Sequence, residues 1–160
     1  MSVLRRIASR LGHRRWFAAA ARPLVPADRF LGRLTRGRLV ALGLVPSLII
    51  TTIGRRSGRP RSNPLLYVRD GDAYAVVGSN WGRAAHPAWA LNLLADPRAT
   101  VAVRGQVIAV RARVVTGPDR DRLWGLLVRQ WPPYESYAER ARRDIPLFRL
   151  EPGDRPPTPG

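Results

Sequence analysis

In TTIGRRSGRPRSNPLLY, residues 51–67, four arginines fall within seven positions: Arg55, Arg56, Arg59 and Arg61. A guanidinium is a planar fork of donors that matches phosphate and carboxylate oxygens, and it stays charged at physiological pH. Glycines and a proline interleave them, so the segment is a tight turn. Neighbouring side chains on such a turn diverge, which lets several of the four share one face. Turn amides add a small anion-binding concavity of their own. The chemistry on offer is capture of an anion with several negative groups. The competing reading is a set of solvated loop arginines in an arginine-rich chain.

Three further stretches hold polar or aromatic groups suited to a site. SNWG (79–82) follows an apolar run, and a hydroxyl residue at a strand end before a glycine-containing loop marks either a rim where a ligand approaches backbone or an ordinary loop. In PAWALNLL (87–94), Trp89 and Asn92 lie three apart and share a helix face; Asn92 there needs a partner, backbone or ligand. In WPPYESY (131–137), Trp131, Tyr134 and Tyr137 recur every three residues, a spacing that serves the wall of a flat-ring site or the anchor of a helix equally well.

The elements that must position these residues follow from residue type. SLIITTI (47–53) is β-branched and predicts a strand; GRRSGRP is a turn; SNPLLYVR (62–69) predicts a second strand; Asp70-Gly71 signals a hairpin into a third, DAYAVVGS (72–79). NWGRAAH is a loop, and Pro87 opens a short helix through Asp96. Residues 99–105 and 106–115 form a hairpin around Gly105. Pro118 and Asp119 open a helix through Gln130. Residues 131–144 are a loop followed by a short helix, and IPLFRL (145–150) is a last strand. About six short antiparallel strands with inserted helices favour an α+β, mainly β fold: a barrel or partly split barrel that leaves no open edge.

Composition narrows the chemistry. With 160 residues and 45% hydrophobic content the chain has one real core; it has no cysteine, and only His13 and His86 besides its carboxylates, so metal and thiol chemistry are set aside. No glycine-rich strand-to-helix fingerprint and no GxxxxGK[ST] loop occurs, which argues against a Rossmann site and the common nucleotide hydrolases. The net charge is +17 and every basic residue is arginine, so number says less than placement: residues 1–61 hold 14 arginines against one acid, Asp28. In the start of the chain Val3, Leu4, Ile7, Leu11 and Phe17 recur at helical spacing among arginines. Such a helix lies on an anionic bilayer or packs on its own domain. A second helix, capped by Asp28, carries Phe30, Leu31, Leu34, Leu39 and Leu42. Residues 1–46 therefore read as a basic amphipathic segment, 47–152 as the barrel and 153–160 as a flexible tail.

Taken together, TT-x-GRRSG-x-PR-x-x-PL-x-Y, SNWG, HPAW-x-x-NL-x-A-x-P, Y-x-x-Y and R-x-IP resemble the deazaflavin-dependent nitroreductase family of actinobacteria, in order and across residues 47–152. The resemblance implies a split β-barrel related to flavin-nucleotide-binding oxidoreductases. It also implies coenzyme F420, a 5-deazaflavin with a phosphate and an oligoglutamate tail, whose negative groups match the arginine turn. Carried over residue by residue, the cofactor site is Arg55, Arg56 and Ser57, then Arg61, Ser62, Asn63, Pro64, Leu65 and Leu66. Val77, Gly78, Ser79 and Asn80, with Ala88, Trp89, Ala90, Leu91 and Asn92, complete the pocket, and Tyr134 closes it. Ser79, Tyr134 and Tyr137 match positions that orient the substrate or stabilise charge on it. Three departures stand out: Asn80 where well-known members have lysine, Trp131 for tyrosine, and Ala90 for an aromatic. They bear on nitro substrates more than on the cofactor.

The implied activity is hydride transfer from reduced F420 to a quinone or nitro compound, in the cytoplasm or on the inner face of the plasma membrane. Two readings compete. A basic nucleic-acid-binding module predicts steeply salt-dependent binding and no yellow cofactor. The same barrel holding FMN or haem would make less use of the arginine turn.

Overall fold

The computed structural model describes residues 45–153. The expectations for residues 1–44 and for the tail beyond 153 lie outside them. Seven strands, β1 (Ser47–Ile53), β2 (Pro60–Leu66), β3 (Val68–Asp70), β4 (Ala73–Val77), β5 (Arg98–Val103), β6 (Gln106–Val114) and β7 (Leu147–Pro152), form one antiparallel sheet in the order β2-β1-β5-β6-β7-β4-β3. Helices α1 (Ala88–Ala95), α2 (Gly117–Gln130) and α3 (Pro133–Ala141) and a short helical turn (Asn80–Gly82) complete the described fold.

The two edges of the sheet are consecutive in the chain. β2 pairs with β1, β3 pairs with β4, and only Tyr67 separates β2 from β3. One extended segment thus serves both edges and curls the sheet into a split barrel. This corrects the single second strand expected over 62–69 and the count of six: at Tyr67, buried and packed edge-on against Tyr74 at 5.3 Å, the chain leaves β1 for β4. Pro60 and Pro64 sit on edge strand β2, where a missing N–H breaks no ladder.

Two other boundaries move for similar reasons. β4 ends at Val77, not at residue 79: the Gly78 N–H still reaches Pro146 O (2.8 Å) in the register of the β4–β7 ladder, but Pro146 has no N–H to return the bond. β7 runs 147–152 rather than 145–150, and α3 begins directly at Pro133, where the ring's fixed φ suits the first turn. The 103–106 hairpin closes through Arg104 and Gly105, both at positive φ (49° and 84°), the backbone a two-residue turn demands.

β4 is buried on both faces. Tyr74 and Val76 face an inner core with Leu48, Ile50, Val101, Val110, Phe148 and Leu150, on which α1 lays Trp89, Ala90 and Leu93. Ala75 and Val77 face an outer core built with α2 and α3 from Leu123, Leu127, Trp131, Tyr134, Tyr137 and Leu147. Each large side chain so buried contributes about 1.5–3 kcal/mol, which fixes both helical layers against the barrel.

Candidate active site

The arginine turn is built on glycines. Gly54 donates its N–H to Arg59 O (2.9 Å), and its own carbonyl accepts from Ser57 (3.0 Å) and Gly58 (2.8 Å). A Cβ at Gly54 would stand 2.6 Å from Ser57 Oγ and 3.3 Å from Arg59 O, so a larger residue would have to turn the Ser57 hydroxyl aside and push on the Arg59 carbonyl. Asn92 of α1 pins the turn from beneath: its Oδ1 accepts from the Arg55 N–H (3.1 Å), and its Nδ2 donates to Thr52 Oγ1 (3.0 Å). Backbone is therefore the partner Asn92 required, and it shares its buried face with Trp89, which packs on Phe148.

Between turn and helix lies an open recess of ≈ 350 Å³, lined by Ile53, Gly54, Arg55, Arg56, Gly58, Asn92, Ala95 and Asp96. Arg59 and Arg61 do not line it. All four turn arginines are exposed, and none forms an ion pair with another described residue. Four other described arginines form ion pairs: Arg98 with Asp96 (2.9 Å), Arg122 and Arg149 with Asp70 (2.8 Å each), Arg113 with Glu151 (3.5 Å). The Asp96 carboxyl is held below its ordinary range by the hydrogen bond from Arg98, so it stays ionised within the recess.

Ser62, Asn63, Pro64, Leu65 and Leu66 run half-buried along β2 from this turn, Leu65 against the inner core and Leu66 against the outer one. Thr51 and Ser62 join hydroxyls across β1 and β2 (2.9 Å), and Ser57 Oγ accepts from the Arg59 N–H (3.4 Å).

The second group lies at the other half of α1. Ala88 is exposed and Leu91 half-buried. A Cβ on Gly78 would reach within 3.4 Å of Ala90 Cβ and 3.0 Å of Pro146, so strand end and helix meet closely there. Ser79 is 8% exposed, and its Oγ makes no hydrogen bond with a described residue. Asn80 and Trp81 are left-handed (φ 48° and 58°), and Gly82 (φ 75°) presses onto α3, where a Cβ would lie 3.0 Å from Tyr137 Cα and O. Asn80 holds the bend by donating from Nδ2 to Ala85 O (2.8 Å). That close approach explains why the SNWG stretch ends in glycine.

Tyr134 and Tyr137 pack edge-on at 6.1 Å, Trp81 lies 6.1 Å from Tyr137, and Arg140 covers the Tyr137 ring at 5.0 Å. Both tyrosines belong to the outer core and so join the 80–82 turn rather than the arginine recess. Burial, reinforced by Tyr137, pushes the Tyr134 hydroxyl far above the ordinary phenol value; burial raises Tyr137 too, opposed by the Trp131 indole and the charge on Arg140. Both stay protonated at physiological pH. The Tyr137 hydroxyl is sealed from solvent, and no hydrogen bond of standard geometry satisfies it; the nearby indole favours its ionised form without completing one.

Sequence reasoning missed Arg143. Its guanidinium reaches Arg83 O, His86 Nδ1 (2.9 Å), Gly78 O, Ser79 O and Ala85 O, gathering the whole 78–86 loop. Because a guanidinium only donates, His86 Nδ1 is an acceptor and the ring is neutral with its proton on Nε2. Burial, then the charge on Arg143, holds the His86 pKa below its ordinary value. The only signal was the R-x-IP motif, invisible among 28 arginines by composition alone.

The family model for F420H(2)-dependent quinone reductase matches residues 27–152. An F420H(2)-dependent quinone reductase of Mycobacterium tuberculosis is 37% identical over 111 residues, 68% of this chain and 74% of that protein. The solved F420-H2 dependent reductase FDR-A superposes with a TM-score of 0.62 at 36% identity, covering 66% of this chain and 94% of the other. A structure described as a domain-swapped dimer aligns with a TM-score of 0.63 at 32% identity over 78% and 96%. The recess, the 78–86 loop and the tyrosines all lie inside the matched span, and the chain belongs to the F420H(2)-dependent quinone reductase family, an oxidoreductase working with coenzyme F420.

Proposed function

We propose that this protein passes hydride from reduced coenzyme F420 to a quinone, with the anionic tail of the cofactor held at the arginine turn. The observation that carries this reading is the contrast among arginines. Arg98, Arg113, Arg122 and Arg149 are tied to carboxylates, whereas Arg55 and Arg56 border the recess without an ion pair to a described residue, and the carboxylate at its rim, Asp96, is already taken by Arg98. A phosphate and a run of carboxylates supply what the turn lacks. The bound cofactor supplies the hydride; the chain binds, orients and provides protons. Residues 62–66 of β2, which continue from the turn, and the strand end at Gly78, which meets Ala90 of α1, would hold the ring. Ser79 Oγ, without a partner among the described residues, serves to hydrogen-bond the oxygen on which negative charge appears. Tyr134, kept protonated by burial, is a second donor. Tyr137, sealed in the core, acts by supporting Trp81 and Tyr134. Nitro compounds belong to the same reading as alternative acceptors, and the loss of a lysine at Asn80 argues for quinones first.

The test mixes the protein with reduced F420 and a soluble menaquinone analogue and follows the return of the oxidised cofactor's absorbance. Turnover is expected. Arg55→Ala and Arg56→Ala should each weaken cofactor binding roughly tenfold while leaving kcat nearly intact. No turnover in the parent, or parental affinity in both variants, would refute the reading.

A further inference from the structure

Arg143 occupies a place that neither the cofactor reading nor the stability of the core explains. α3 ends in a left-handed residue, Arg142 (φ 49°, ψ 35°), which turns the chain back so that Arg143 lies against the 78–86 loop. Its guanidinium then has six acceptors on three nitrogens. Nε donates to Arg83 O (3.1 Å). Nη1 donates to His86 Nδ1 (2.9 Å) and Asp144 O (3.1 Å), and Nη2 to Gly78 O (3.1 Å), Ala85 O (3.2 Å) and Ser79 O (3.4 Å). All six are uncharged, and Arg143 forms no ion pair with a described residue. This cation is spent on five peptide carbonyls and one imidazole, and two of the carbonyls, Gly78 O and Ser79 O, belong to the peptides on either side of Ser79.

The geometry has a direct consequence. In a trans peptide the carbonyl and the following N–H point in opposite directions. With Gly78 O and Ser79 O both turned to Arg143, the Ser79 and Asn80 N–H groups turn to the other side, and neither finds a backbone acceptor among the described residues. The two residues that follow, Asn80 and Trp81, are left-handed, and Ala85 O accepts from both Arg143 and the Asn80 side chain. We infer that Arg143 is a positioning residue for hydride transfer: by fixing the two peptides that flank Ser79, it holds that hydroxyl where the reaction uses it. A lysine offers three donors on one nitrogen where six acceptors surround three nitrogens here, so the fork matters as well as the charge.

This inference rests on the proposed F420 reaction, and the experiment separates the two. Arg143→Gln, Arg143→Lys and Arg143→Ala are compared with the parent for affinity toward oxidised F420, for kcat and KM with the menaquinone analogue, and for circular dichroism. The arginine recess is anchored separately by Asn92, so cofactor affinity should stay near the parent's while kcat falls roughly tenfold to a hundredfold. Lysine should rescue little, and added guanidinium, but not methylammonium, should restore turnover to Arg143→Ala. A parental kcat in Arg143→Gln, or full rescue by lysine, overturns the inference. So does a loss of affinity as large as the loss in kcat, which would mark Arg143 as a merely structural tie. Should Arg143→Gln fail to fold, Arg143→Lys decides by the same split. A parent that neither binds nor oxidises reduced F420 overturns the underlying reaction instead, and the inference with it.

Discussion

Asn92 joins the arginine turn to the barrel through two hydrogen bonds at a site only 4% exposed. Replacing it by alanine leaves the Arg55 N–H and the fully buried Thr52 hydroxyl without their partner, at a cost of about 1–3 kcal/mol. Asn92→Ala should therefore lower the urea midpoint and weaken F420 binding together. Asn92→Asp separates the effects. Its carboxylate still accepts from Arg55, and the Thr52 hydroxyl can rotate to donate to it, so stability should change little. A negative charge beside Arg55 and Arg56 should nevertheless weaken binding of the anionic cofactor, increasingly so at low salt. Equal affinity of Asn92→Asp and the parent would remove Asn92 from the recess. At this scale the sequence was partly legible. The pairing of Trp89 with Asn92 on one buried helix face could be read from spacing, because helical period alone decides it. Arg143 could not, since its role depends on a left-handed turn at Arg142 that no residue type signals.

Among elements, strand β1 and the hairpin at Gly105 matched expectation because β-branched runs and turn residues act locally. The break at Tyr67 did not, because sheet closure rather than local preference chooses which neighbour a strand pairs with. The same closure creates the junction at Asp70. That residue ends β3 and accepts from Arg122 of α2 and Arg149 of β7, clamping the β3–β4 hairpin to both. The hydrogen bond from Arg122, then that from Arg149, holds the Asp70 carboxyl below its ordinary 3.8, against the opposing effect of burial. A carboxylate whose folded pKa is depressed contributes stability above its unfolded pKa and loses it as pH falls through the lower folded value. The loss from this clamp thus falls below about pH 4. Asp70→Asn should cost about 1 kcal/mol at neutral pH, with solvent screening at half-exposed Arg122 keeping the figure low. It should also flatten the acid limb of the stability profile without altering its slope nearer neutrality. An acid limb identical to the parent's in urea titrations at several pH values would show that the clamp is not linked to folding.

For the whole molecule, the +17 charge is divided between two places that differ in what can neutralise them. Among the described residues Asp70, Asp96, Asp119 and Glu151 meet arginines, while the four arginines of the turn at 55–61 meet no carboxylate. Residues 1–44 carry ten arginines against Asp28 alone, six of them in residues 1–22, which lie ahead of the span that matches the family. Apolar residues at helical spacing among those six arginines suit the surface of an anionic bilayer, where a quinone with a long tail would reside. Each arginine near such a surface contributes about 1 kcal/mol, and the attraction decays within a Debye length. The full chain should therefore bind vesicles containing phosphatidylglycerol, release them as salt rises, and bind pure phosphatidylcholine weakly. Deleting residues 1–22 should abolish most of that binding and slow reduction of menaquinone embedded in the vesicles, while turnover of a soluble analogue stays unchanged because the recess and the 78–86 loop are intact. If vesicle binding survives the deletion but falls in Arg55→Ala and Arg56→Ala, the barrel turn rather than the N-terminal segment is the membrane contact. If it survives all three changes, the segment has no part in reaching a lipid-borne acceptor, and a quinone must come to this enzyme from solution.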